Sequence, residues 1–348
     1  MTSNQSRPGS QGLTVLAFGT SVMWGDGLRQ ENTFRYQVTD WIAAQTNRTV
    51  TLATFAHSGA LLNTPTSSVT PNPAPSVGDL NSSLPSVDQQ IECASGMGDL
   101  SSASLILVEG CINDVGAESI VYPWTETPKL ENETDISCGP PMSTELKKIH
   151  QMFPEAVVVT VGYYPLVSSR SSIFGFSGTR RLAKHAGKLY VRKHPSALQQ
   201  SKKHRPRKEE HDILVVNSEA FYQHSKKALE DATGELNSAS QSKFFFATLP
   251  EVRLGEGTTT VDPLFAYGAP LRHEWMIPIR FLFFWAFYKD QKYWPRQSLC
   301  AKYVQLGIER LVCDSNPAFH PDVQGAKVYA ESVENTIPRD TVNGWKAQ

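Results

Sequence analysis

Short, almost unbroken apolar runs alternate along the chain with longer amphipathic stretches. The runs are 13–18 (LTVLAF), 50–56 (VTLATFA), 104–109 (SLILVE), 156–161 (AVVVTV) and 212–217 (DILVVN). A strand that is apolar throughout, rather than at every second position, is covered on both faces. The stretches 31–45, 86–95, 143–153 and 218–230 are helix candidates. Strand–helix alternation calls for right-handed crossovers and a parallel sheet between two helical layers. The pattern therefore predicts a three-layer α/β/α fold.

Three segments interrupt this pattern as insertions. Residues 63–86 (NTPTSSVTPNPAPSVGDLNSSLPS) are rich in Ser, Pro, Thr and Asn and read as a long loop. Residues 170–211 separate the fourth and fifth candidate strands and are strongly basic from 179 onward, which reads as a solvated loop. Residues 235–300 carry a concentration of aromatics, including Phe244, Phe245, Phe246 and most of 281–288. No internal repeat is present. The expected organisation is one domain over 13–338, with a polar tail before it at 1–12 and a second tail at 339–348.

Composition narrows the function. The chain has 348 residues, 40% hydrophobic and 19% charged, enough for a sizeable core. A net charge of −1 supplies no global field for nucleic acid or anionic membrane. No apolar run reaches the ~18 residues of a spanning helix. The nearest, 276–288 (MIPIRFLFFWAFY), is interrupted by Arg280 and reads at most as a membrane-surface contact. The cysteines, Cys93, Cys111, Cys138, Cys300 and Cys313, are odd in number and show neither a CxxC pair nor zinc spacing. With a polar start that has no apolar signal region, they predict a reduced, cytoplasmic chain. The sequons at Asn47, Asn81 and Asn132 leave a secreted chain open.

Candidate chemistry gathers just after the strands. The first run stops at Gly19, and Thr20-Ser21 follow. Glycine permits a sharp turn, so Ser21 stands past the strand's carboxyl end, where α/β folds bind ligands. Serine is also common at helix starts, so its chemistry depends on finding a base, oxyanion donors and an orienting group. The second run leads into His57-Ser58-Gly59-Ala60, where a glycine lets a backbone N–H approach a substrate oxygen. The third leads into Gly110-Cys111-Ile112-Asn113-Asp114, where Asn113 is a neutral donor suited to an oxyanion. Ordinary turn chemistry would explain either segment by itself. Near the other end, Val323, Ala326, Ala330, Val333 and Ile337 follow helical spacing, with Pro321 suited to the first helical position. His320 is thereby placed at the helix lip, where the helix dipole disfavours imidazolium and keeps the ring able to accept a proton.

These four segments, FGTSVMWGDG, HSGA, GCIND and FHPDVQGAKVYA, resemble in order and strand context the Ser, Gly, Asn and His blocks of the SGNH (GDSL-type) hydrolases. The resemblance covers roughly 13–165 and 305–337. It implies a flavodoxin-like, five-stranded parallel sheet and ester hydrolysis with Ser21 as nucleophile and His320 as general base. The N–H groups of Ser21 and Gly59 and the side chain of Asn113 would form the oxyanion hole. It implies no cofactor or metal. The partner would be a small ester or acyl substrate with an apolar portion. The segment LFAYGAP is similar to one seen in lipase-like members.

The sequence departs from the family pattern twice. Thr20 stands where the first block usually has Asp, a change in turn support. Pro317 stands where the family's acid usually lies, three residues before the histidine. Either Asp314, six residues before His320, or a backbone carbonyl would orient the ring. Acyl transfer from the same acyl-enzyme, and a non-catalytic binding module on this fold, remain alternatives to hydrolysis.

Overall fold

The computed structural model describes residues 12–63, 78, 80, 82–169, 206–237, 243–249, 292–303 and 320–347. Strands β1 (Leu13–Phe18), β2 (Val50–Thr54), β3 (Leu105–Val108), β4 (Val157–Val161) and β5 (Phe244–Ala247) form one parallel sheet in the order β2-β1-β3-β4-β5. β3 and β4 are buried at every residue, as their continuous apolar sequence requires, whereas the edge strand β2 is partly exposed. The helices are α1 (Ser21–Trp24), α2 (Phe34–Thr46), α3 (Val87–Ser95), α4 (Ile112–Val115), α5 (Ala117–Ile120), α6 (Thr127–Met152), α7 (Arg207–Asn237), α8 (Tyr293–Tyr303), α9 (Val323–Thr336) and α10 (Arg339–Ala347). α2, α9 and α10 pack together as one layer and α3, α6 and α7 as the other, which gives the three-layer α/β/α fold.

The order 2-1-3-4-5 reverses direction between β1 and β3. In open α/β sheets the crevice for ligands lies at such a switch point, outside the carboxyl ends of the strands. Phe18 pairs with Val108 in register, and the Glu109 N–H donates to the Phe18 carbonyl at 3.1 Å, so the turns at 19–21 and 109–113 begin side by side. Beneath them Phe18 meets Phe55 and Phe153, with ring centroids 5.6 and 6.4 Å apart.

Several sequence expectations are corrected. Residues 212–217 are not a strand; they lie inside α7. Burial there recurs at Glu210, Leu214, Asn217, Phe221 and Ser225, while Val216 is 54% exposed. That spacing is helical, and the charged segment before the run extends the helix through it. The fifth strand is instead Phe244–Ala247, so the aromatics 244–246, which fell in the expected insertion 235–300, are sheet residues. α6 runs on through Gly139-Pro140-Pro141, well before the expected start at 143. Its buried stripe of Leu130, Cys138, Met142, Leu146 and Ile149 packs into the core, and that burial outweighs the local preference of proline against helix interiors. The expected tail at 339–348 contains α10, which packs on α2 with Trp345 only 6% exposed. Asp322, not Pro321, opens α9, its carboxylate accepting the N–H groups of Gln324 and Gly325.

The expectation of a fully reduced chain does not hold either. Cys111 and Cys138 form a disulfide with Cα atoms 5.0 Å apart, and Cys300 is also disulfide-bonded, whereas Cys93 is free and exposed. The 27-residue separation of the first pair carries no spacing signal; only the packing of α6 against α4 unites them. Among the described residues no helix is long and apolar enough to cross a membrane. Asp314, Pro317, most of the basic segment and the apolar run 276–288 lie outside the described residues.

Candidate active site

Ser21 is the first residue of α1, one turn past the end of β1, and is 6% exposed. His320, 299 residues away, meets it: Nε2 lies 2.6 Å from Ser21 Oγ. The histidine stands at the mouth of α9, two residues before the Asp322 cap. α9 is seated by Tyr329, which stacks on Phe34 at 5.2 Å and meets Tyr164 edge-on at 5.8 Å. In the tautomer with the proton on Nδ1, Nε2 accepts from the serine hydroxyl, the arrangement a general base requires.

The other two blocks converge on the same edge of the sheet. The chain leaving β2 follows β1, with Phe55 N–H donating to the Ala17 carbonyl at 2.9 Å and His57 N–H to the Gly19 carbonyl at 3.0 Å. Gly59 then adopts φ 80, in the left-handed region that favours glycine. α4 grips this turn with two side chains. Asn113 Nδ2 donates to the Ala60 carbonyl at 2.9 Å, and both Asp114 oxygens accept the Leu62 N–H at 3.1 Å. Burial pushes the Asp114 carboxyl up to about 7, against the lowering effect of the Leu62 N–H. Asn113 keeps a second N–H of its amide beyond the Ala60 contact. Ser58 Oγ donates to Asp26 at 2.9 Å, joining the glycine turn to the loop after α1.

The supports of the turn that carries Ser21 left no motif in the sequence. Gln90 of α3 binds both sides of the Gly19 backbone, its Oε1 taking the N–H at 2.8 Å and its Nε2 reaching the carbonyl at 3.0 Å. Arg35 of α2 is only 2% exposed. Its Nη1 donates to the Met23 carbonyl at 2.6 Å and to that of Trp24, its Nε to Thr54 Oγ1 at 3.1 Å, and its guanidinium lies 5.5 Å from the Trp24 ring centre. A cation at the carboxyl end of a helix complements its dipole and its open carbonyls. Glu109 lies fully buried beside Thr20, where its carboxyl takes hydrogen bonds from Thr20 and from Tyr163 Oη. Burial pushes the Glu109 pKa up, and these donors oppose the rise. In the sequence each of these residues is one polar letter in an otherwise amphipathic or apolar stretch.

The structure thus brings Ser21 and His320 into contact and sets Asn113 on the Gly59–Ala60 turn. Asp314 lies outside the described residues.

No protein-family profile matches the chain, and no curated protein does. Among solved structures it is similar to a lipase, Lip_vut3, from a goat rumen metagenome, at 14% identity and TM-score 0.43 over 93% of this chain and 96% of that one. It is also similar to an extracellular lipase from Streptomyces rimosus, at 13% identity and TM-score 0.45, covering 94% of this chain and 100% of that one. A phospholipase A1 from Streptomyces albidoflavus NA297 aligns at 10% identity and TM-score 0.45 over the same shares.

Proposed function

We propose that the protein is a serine hydrolase of carboxylic esters of the SGNH type. The observation that carries this reading is the 2.6 Å contact between Ser21 Oγ and His320 Nε2 at the switch point of the sheet. Ser21 Oγ attacks the ester carbonyl carbon as His320 Nε2 takes the hydroxyl proton. The tetrahedral oxyanion is held by the N–H groups of Ser21 and Gly59 and by Asn113 Nδ2. Its collapse breaks the ester C–O bond, and the imidazolium delivers the proton to the leaving alcohol. Water, deprotonated by the same ring, then releases the acid and restores the serine. Asp314 is the candidate acid for the other ring nitrogen. The substrate is a small ester with an apolar acyl portion. The Cys111–Cys138 disulfide favours an oxidising compartment over the cytoplasm.

The test is p-nitrophenyl ester turnover together with labelling by a fluorophosphonate. Ser21→Ala is expected to abolish both. Normal turnover in Ser21→Ala, or unchanged fluorophosphonate attachment, would overturn the assignment. Product analysis with a competing alcohol separates hydrolysis from acyl transfer.

A further inference from the structure

The short helix that presents Ser21 has no side-chain N-cap of its own, although Gly25 closes its far end. Thr20 occupies the N-cap position of α1, yet its side chain accepts nothing from the helix. Its Oγ1 is turned to Glu109, 2.9 Å from each carboxyl oxygen. The amides at the start of α1 go to the same group. Thr20 N–H donates to Glu109 Oε2 at 2.9 Å, and the backbone N–H of Met23, the third residue of the helix, also favours the ionised form of that carboxyl. The chain leaves room for this arrangement: a Cβ at Gly19 would stand 2.9 Å from Glu109 Oε2 and 2.8 Å from the Glu109 carbonyl oxygen. A fourth donor is Tyr163 Oη, which also receives the N–H of Ile112 at 3.3 Å, next to Asn113.

An Asp at an N-cap accepts the amide of the third helical residue. The family that the sequence resembles has its acid at the position of Thr20. We propose that Glu109 is a positioning residue that caps the nucleophile helix from the neighbouring strand, replacing a carboxyl at position 20. Through Tyr163 it also fixes the turn that carries Asn113 relative to Ser21. The geometry is independent of the hydrolase reading; its effect on turnover rests on that reading. A helix of four residues does not hold its shape unaided, so the cap decides where Ser21 Oγ points. Misplacing a reacting atom by about 1 Å costs on the order of 100-fold in rate.

The experiment moves the carboxyl. Glu109→Ala, Thr20→Asp and the double variant are compared for kcat and KM on a p-nitrophenyl ester, and for hydrogen exchange at the Met23 amide. Glu109→Ala is expected to lower kcat by about 100-fold with KM little changed, and to expose the Met23 amide to exchange. Thr20→Asp alone is also expected to be impaired, because it sets two carboxyls in one buried site. The double variant, with its single carboxyl now at position 20, is expected to recover much of the lost kcat and the Met23 protection. Glu109→Gln, close in volume, covers the case in which the alanine variant does not fold, and is expected to lose both kcat and protection. Wild-type kcat and protection in Glu109→Gln, or a double variant no better than Glu109→Ala, would overturn the proposal. The exchange readout needs no substrate, so it reports on the cap even if Ser21 proves not to be a nucleophile.

Discussion

Gln90 holds the Gly19 backbone by both of its hydrogen-bonding groups, accepting at 2.8 Å and donating at 3.0 Å, although 71 residues separate the two. The Gly19 carbonyl also takes the His57 N–H, so the glycine links α3 and the Gly59 turn as well as Ser21. Gln90→Leu keeps the volume and removes both bonds. A buried amide left without a partner costs about 1–3 kcal/mol. Urea unfolding should show a loss of that size, with kcat falling in parallel because the turn before Ser21 loosens.

Asn113→Ala should lower kcat about 100–1000-fold, the usual cost of one oxyanion donor. Its Nδ2 also serves the Ala60 carbonyl, so stability should fall by roughly 1 kcal/mol as well. Steady-state kinetics and denaturant melts on one preparation separate the two effects. Unchanged kcat would remove Asn113 from the site.

Glu145 is 1% exposed in α6, and burial, with Asp88 nearby, pushes its carboxyl up to about 8. In the folded protein the proton is therefore held at a pH where the unfolded chain has released it. The folded state binds more protons between the ordinary carboxylate value, 4.5, and about 8, so stability is full below that window and falls as pH rises through it. Glu145→Gln should leave stability near pH 4 unchanged and raise it at pH 8 by about 1–3 kcal/mol. Unfolding free energies measured across that window would show the flattened profile; an equal loss at every pH would contradict it.

The Cys111–Cys138 bridge closes a separation of 27 residues, for which the chain-entropy relation gives about 3.5 kcal/mol of stabilisation. Both cysteines are fully buried, so reductant should act only once the protein is unfolded. The Cys111→Ala/Cys138→Ala variant should unfold at lower urea by roughly that free energy. Thiol counting on the native wild type should find Cys93 reactive and this pair protected.

Apolar continuity determined β1, β3 and β4, because a strand covered on both faces by helices is apolar almost throughout, and the partly exposed edge strand β2 was marked by the same run more weakly. The same rule misplaced the fifth strand. Ile213-Leu214-Val215-Val216 are all apolar and three of them are β-branched, yet a half-buried helix of an outer layer accommodates such residues as a strand does. The neighbours that decide between the two lie far away in the chain. Proline in α6 and the C-terminal α10 misled for the same reason: packing supplied the free energy that local preference withheld.

The four short blocks named Ser21, Gly59, Asn113 and His320 because each follows a strand end or opens a helix, and such places are written locally. What holds those residues was not legible in the same way. Gln90, Arg35, Glu109 and Tyr163 act on backbone groups supplied by segments remote in sequence, and no local pattern marks a side chain by the carbonyl or amide it will meet. The sequence by itself therefore determined the sheet's central strands and the polar groups at their carboxyl ends. The tertiary structure decided that His320 reaches Ser21 across 299 residues, and that the Glu109 carboxyl just past β3 meets Thr20 at the start of the Ser21 helix. Hydrophobic periodicity is a property of neighbours in the chain; hydrogen-bond partnership between distant turns exists only once the sheet has set its register.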